Sequence, residues 1–323
     1  MAHTDTRPGE DRIAAIARSF VTTARSPVLG SPADHGLAFE DVTFPAEDGI
    51  ALSGWFVPSP QPRGIVVVNH PRGFSRTGLP SHRDPWRAQY AAAGNDVEVD
   101  FLPDLALLHH AGYHVLAYDL RNHGDSATAH DGSITSGVLE SADVVGALDR
   151  IRGRADLDGL PIGLFSRCLG ANATLFAMRR RPDAFDRVRA LVACQPLSPR
   201  RLAQRSVAAA GLPAARVDDV DRALTALSGY SFDDRSPVPA ASHVRVPTLT
   251  YQVRHDVLTT PADVAAVHAA VAAPDKELFW IEDSTRRWDG YLHFQREPDR
   301  ILRWLDTHLA AEGPVARCRP HPA

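Results

Sequence analysis

Apolar residues fall along this chain in two alternating patterns. Short runs without polar alternation occupy 64–70 (Gly-Ile-Val-Val-Val-Asn-His), 113–120, 160–165, 189–194 and 247–253, and they predict strands buried on both faces of a sheet, with a last strand over 276–281. Between them, 102–111 has helical apolar spacing and stops at Gly112, 139–152 and 169–181 read as helices, and further helices are predicted from Ala262 and over 299–311. Strands alternating with helices in this way predict an α/β fold with a mostly parallel, doubly wound sheet. Residues 38–45 and 51–58 alternate in polarity around the turn signal Glu47-Asp48-Gly49, so an antiparallel hairpin should open that sheet. Ahead of it, residues 10–25 carry Ile13, Ile16, Phe20 and Val21 at the spacing of an amphipathic helix.

The rhythm breaks twice. Residues 77–100 are polar and irregular, with Trp86 and Tyr90 as isolated aromatics, and form an insertion able to line a site. From Gln195 to Val246 the strands stop, prolines recur at 196, 199, 213, 237 and 239, and one helical piece lies over 217–227. The expected division is therefore an N-terminal helical extension, 1–37, and a main domain, 38–323, that carries a cap insertion over about 196–246.

Composition removes several function classes. With 44% hydrophobic and 23% charged residues and a net charge of -4, the 323-residue chain has no basic surplus for nucleic acid and no polybasic patch for a membrane surface. No run reaches about 18 apolar residues, and the polar start has no signal-like pattern, so a cytoplasmic protein is expected. Cys168, Cys194 and Cys318 are odd in number and widely spaced, which suits neither a disulfide framework nor a zinc site. His109, His110 and His114 have no carboxylate or cysteine at ligand spacing, so neither a metal nor a cofactor is expected.

Candidate chemistry centres on Ser166-Arg167-Cys168-Leu169-Gly170, between a predicted buried strand and a predicted helix. Small residues two before and two after a nucleophilic type suit a sharp strand-to-helix turn, where the central residue is strained and its neighbours must leave room. The stretch resembles the nucleophile elbow of the α/β-hydrolase superfamily, with Ser166 in place of the first Gly and Cys168 in place of the usual Ser, as in dienelactone hydrolases. Taken alone, Cys168 could equally be a buried apolar cysteine. The resemblance runs from about residue 38 to 309 and implies an α/β-hydrolase fold with an inserted cap.

It also implies roles for particular residues. His70-Pro71 resembles the His-Gly loop that supplies half of an oxyanion hole. Proline has no N–H, so the donor passes to Arg72 or Gly73, with Arg72 favoured, beside the N–H of Leu169. The turn 121–126 matches the one after the family's fourth strand, where Asp119, Arg121, His123 and Gly124 are structural. Asp256, just past a strand's carboxyl end and followed by Pro261, occupies the place of the triad acid. His293, in 289–294, which should be a loop, occupies that of the base, although Leu292 stands where a Gly is usual. Plainer readings remain for each: Asp256 as a cap of the helix near Pro261, His293 as an ordinary loop histidine, and Ser166 as a rival nucleophile that should point away. Cys194 should end the strand beside that of Cys168, as a packing cysteine or a redox partner.

Cys168, Asp256 and His293 thus stand in the order nucleophile, acid, base. The resemblance implies an acyl hydrolase acting on an ester, thioester or lactone through an acyl-Cys168 intermediate. An acyltransferase or cyclase using the same intermediate, and a non-catalytic binding protein on the same fold, are the alternatives. The expected partner is a small-molecule acyl substrate, free or carrier-bound, with neither nucleic acid nor membrane involved.

Overall fold

The computed structural model describes residues 7–310. The expected hairpin is β1 (Glu40–Pro45) and β2 (Ala51–Val57), antiparallel, with Glu40 opposite Phe56. Strand β3 (Gly64–Asn69) is buried along its whole length, as its unbroken β-branched run requires. The insertion after it folds into a small antiparallel ladder, β4 (Gly78–Leu79) with β5 (Val99–Asp100), and a short helix. The main sheet continues through β6 (Tyr113–Tyr118), β7 (Ile162–Arg167), β8 (Val188–Cys194), β9 (Thr248–Val253) and β10 (Lys276–Ile281).

Eight strands lie in the order β1-β2-β6-β3-β7-β8-β9-β10, parallel from β6 onward. The chain leaves β3 toward β6 and later returns to the other side of β3 as β7. The carboxyl ends of β3 and β7 therefore form a switch point, where an open parallel sheet leaves a crevice. Apolar layers cover both faces. Phe44, Ile65, Val67, Leu164 and Leu191 belong to one layer, and Val66, Val68, Phe165, Val192 and Leu249 to the other.

The helices follow in chain order: α1 (Arg7–Val21), α2 (Trp86–Tyr90), α3 (Leu102–His110), α4 (Ser141–Arg152), α5 (Leu169–Arg180), α6 (Pro199–Ala209), α7 (Val217–Ser228), α8 (Pro237–Ala241), α9 (Pro261–Ala270), α10 (Arg287–Arg296) and α11 (Asp299–Leu309). A third apolar cluster stands apart from the sheet: Ile13, Ala17, Phe20 and Val21 of α1 pack against Ala203 and Val207 of α6 and Val217, Val220 and Leu224 of α7. The amphipathic helix seen in the sequence thus spends its apolar face on α6 and α7. Among the described residues no helix is long and apolar enough to cross a membrane.

One element departs from expectation and matters for the site. Residues 289–294 are not a loop but the middle of α10. Trp288, Tyr291 and Leu292 are buried at helical spacing, and Gly290 is accepted there because a Cβ would come within 2.5 Å of the Gln195 side chain.

Candidate active site

The strand-to-helix turn after β7 is as sharp as its small residues suggest. Cys168 has φ 50° and ψ −107°, a strained conformation for a residue with a side chain, and its N–H donates to Cys194 O at 2.8 Å. The N–H of Gly170 donates to His70 O at 3.2 Å, and a Cβ on Gly170 would lie 2.6 Å from that of Asn69. Glycine here lets the two loops at the switch point meet. Ser166 faces inward: its hydroxyl accepts from Asn69 Nδ2 and is paired with Thr174 Oγ1, each at 2.9 Å. The strain therefore presents Cys168, and not Ser166, to the crevice.

A cavity of about 110 Å³ opens at Cys168, with Leu169, Arg72, Phe74, Trp288 and Tyr291 among its walls. Neither the N–H of Leu169 nor that of Arg72 has a protein acceptor among the described residues. The neighbouring turn is braced from beneath: Asp119 accepts from the N–H groups of Arg76 and Asp125, and Leu120 N–H donates to His70 Nε2 at 2.9 Å. A Cβ on Gly124 would lie 2.2 Å from the Asp119 carboxylate, so that turn admits only glycine. Arg121 is held by Asp143 and Asp48.

Asp256 lies where its strand predicts, past the end of β9, but its partner is unexpected. Its carboxylate accepts from Leu258 N–H and Thr259 Oγ1, both at 2.9 Å, and from Arg287 Nη1 at 2.5 Å. The helix after it is capped by Thr260 and not by Asp256. Arg287 has a side-chain exposure of 2% against 0% for Asp256. Its remaining atoms are also committed, Nη2 to Gln195 O at 2.6 Å and Nε to the Tyr291 hydroxyl at 2.9 Å. Arg287 and Tyr291 are four residues apart on α10 and so share a face. Both line the Cys168 cavity. Burial pushes the Tyr291 hydroxyl well above the ordinary tyrosine range, so it keeps its proton, and with Arg287 donating to its oxygen that proton is free to face the neighbouring Cys168 thiol.

His293 is placed elsewhere, which corrects the expected triad. Six residues after Arg287, it is turned about 120° around the helix from that face. Its ring packs 5.6 Å from Tyr251 and 5.4 Å from Phe279, and among the described residues no hydrogen bond joins it to Cys168 or Asp256. It lines a separate groove of about 790 Å³ with Glu282, Arg296 and Glu297, which shares no wall residue with the Cys168 cavity. That groove is larger, and the serine in its wall, Ser284, is engaged with Asp289, to which its hydroxyl donates at 2.6 Å. Burial pushes the His293 imidazole below its usual range.

Cys194 is fully buried, its thiol donating to Gly290 O at 3.5 Å, and burial pushes it up to about 12, so it is unreactive packing. Cys318 lies outside the described residues. Among the described residues no group of three or more His, Cys, Asp or Glu is placed to hold a metal ion. Residue type alone points to His293 as the base and gives no hint of Arg287 or Tyr291. The signal for them is Arg-Trp-Asp-Gly-Tyr at 287–291, beyond the polar stretch 282–286 that follows the last strand, where helical spacing puts Arg287 and Tyr291 on one face.

With this geometry in hand, comparison with known proteins defines the class. No family model matches the chain. A protein of Salmonella typhimurium, the uncharacterized protein YfhR, is 24% identical over 287 residues, covering 84% of this chain and 83% of that one. Among solved structures, the Pyrococcus furiosus esterase Pf2001 is similar with a TM-score of 0.65 at 19% identity, over 89% of this chain and 98% of its own. The dienelactone hydrolase of Anabaena variabilis is similar with a TM-score of 0.51 at 18% identity, over 84% and 98%. The fold is the α/β-hydrolase fold, with the mostly parallel sheet expected from the sequence.

Proposed function

We propose that the protein is an acyl-transfer enzyme of the hydrolase type, acting on a small ester, thioester or lactone through an acyl-Cys168 intermediate. The observation that carries this reading is Cys168 at a strained elbow, beside two free N–H groups and the Arg287 guanidinium. Cys168 Sγ attacks the carbonyl carbon, the oxygen gains charge facing Leu169 and Arg72 N–H, and the bond to the leaving group then breaks as that group takes up a proton. A serine at this elbow would need an imidazole. A thiol needs it less, because sulfur is intrinsically the stronger nucleophile. The residue types are thus mutually consistent: Cys with Arg287 where Ser would require His.

The second half-reaction is then the slow one. Among the described residues the cavity wall carries no His, Asp or Glu to activate water, so a small thiol or amine should accept the acyl group faster than water does. Mixing the enzyme with p-nitrophenyl acetate should give a burst of nitrophenolate, an acetylated Cys168 peptide, and slow turnover that a small thiol or amine accelerates. The Arg287–Asp256 pair also favours a second reading, a binding protein that has lost turnover. Absence of both burst and adduct, with the protein folded, would establish that reading instead.

A further inference from the structure

The cavity at Cys168 is lined in part from outside the sheet layers, by Phe20 of α1 and by Pro199 and Leu202 of α6. Phe20, in the last turns of α1, closes it, itself only 3% exposed and packed edge-on against Phe232 at 5.3 Å. Two other large wall residues, Trp288 and Phe74, are locked against the sheet layers. Trp288 donates from Nε1 to Ser81 Oγ at 2.8 Å, and Phe74 packs edge-on against Trp288 and Tyr291 at 5.2 and 5.4 Å. Phe20 belongs instead to the separate cluster that joins α1 to the cap. What ties α1 down over the crevice is Arg72, whose Nη2 donates to the carbonyls of Ser19 and Thr22, the latter at 2.6 Å, with Val21 O accepting from Ile134 N–H at 3.0 Å.

Small-molecule sites ordinarily enclose about 300–1,000 Å³, and a dry engineered cavity of about 150 Å³ just holds benzene. The 110 Å³ left here is smaller than either. Resting on the acyl-Cys168 reading, we propose that α1 forms the roof of the acyl site and that Phe20 is its specificity-determining side chain, restricting the enzyme to short acyl groups of a few carbons. Arg72 is the anchor, so the residue whose backbone faces the oxyanion also holds the roof shut.

The test uses a reaction that needs no catalysis. Alkyl methanethiosulfonates transfer an alkylthio group: the Cys168 sulfur attacks the sulfenyl sulfur, a disulfide forms, and methanesulfinate leaves. Rates at the Cys168 peptide are followed by mass mapping for methyl, butyl and hexyl reagents, with the full chain. In the wild-type protein the rate should fall at least about tenfold from methyl to hexyl. Phe20→Ala should raise the hexyl-to-methyl ratio about tenfold, and Phe20→Met, which keeps the helix face apolar, should raise it less. Size-independent labelling of the wild type, a Phe20→Ala ratio equal to wild type, or a Cys168 that no reagent reaches would each overturn the proposal. Should Phe20→Ala unfold by circular dichroism, the Phe20→Met ratio decides. Graded labelling without any acyl adduct from esters would sink the acyl-enzyme reading and leave the roof standing.

Discussion

The two halves of the site differ in how closely they follow the expectation for their fold. At the switch point between β3 and β7, Cys168 sits strained at a sharp turn, Gly170 packs closely on Asn69, and the N–H groups of Leu169 and Arg72 have no protein acceptor among the described residues. At the β9–β10 side, Asp256 is in place but meets Arg287, while His293 faces another groove. Central strands buried on both faces tolerate no slip, so the loops leaving them are tightly specified. The segment after β10 leaves an edge strand, crosses residues 282–286 and enters α10, and there the helical phase decides which side chain reaches the acid. One half is therefore governed by sheet topology and the other by a single helix's rotation.

The largest effect that would break this comparison is at the nucleophile. Cys168→Ala should abolish the acyl adduct and reduce ester turnover by at least about a thousandfold, since residual binding and oxyanion donors cannot replace the attacking atom. Retention of activity, read by nitrophenolate release, would move the chemistry out of the elbow altogether.

Next comes the other half. Arg287→Met removes the partner of a fully buried carboxylate and should cost about 3–5 kcal/mol in urea unfolding, as well as slowing alkylation of Cys168 by iodoacetamide. The double variant Asp256→Asn/Arg287→Met should recover part of the stability but not the labelling rate. Recovery of both would make the pair a structural brace with no role at the thiol.

A smaller effect concerns acid. His70 and His123 are buried, and burial pushes both below the ordinary histidine range. Their rings stand 5.0 Å apart, so a second positive charge there is unwelcome as well. Between the depressed folded value and the ordinary value of about 6.5, the unfolded chain binds protons that the folded protein refuses. Stability should therefore begin to fall below about pH 6.5 and decline further on acidification. Denaturant midpoints from pH 7 to 5 would show it, and a flat profile would contradict it. His70→Asn, which removes the titrating ring beside the switch point, should shallow the slope.

The smallest expected effect is also the sharpest. His293→Ala should change Cys168 alkylation and acyl-adduct formation by less than about twofold, because the ring packs on Tyr251 and Phe279 away from the thiol. A drop of a hundredfold would restore His293 as the base and show that α10 rearranges in the working enzyme.

What the residues determine locally was legible without coordinates. Unbroken apolar runs can only be buried strands, so the sheet, the elbow at Cys168 and the place of Asp256 followed from pattern and spacing, and the prolines after residue 195 marked where the strand rhythm stops. Only the tertiary structure decided the rest. Whether Arg287 or His293 meets Asp256 depends on the phase at which α10 docks against β9, and residue type is blind to that. That Phe20 lines the cavity depends on α1 finding α6 and α7, far along the chain. Such contacts are set by the packing of surfaces far apart in sequence, and no local propensity encodes them.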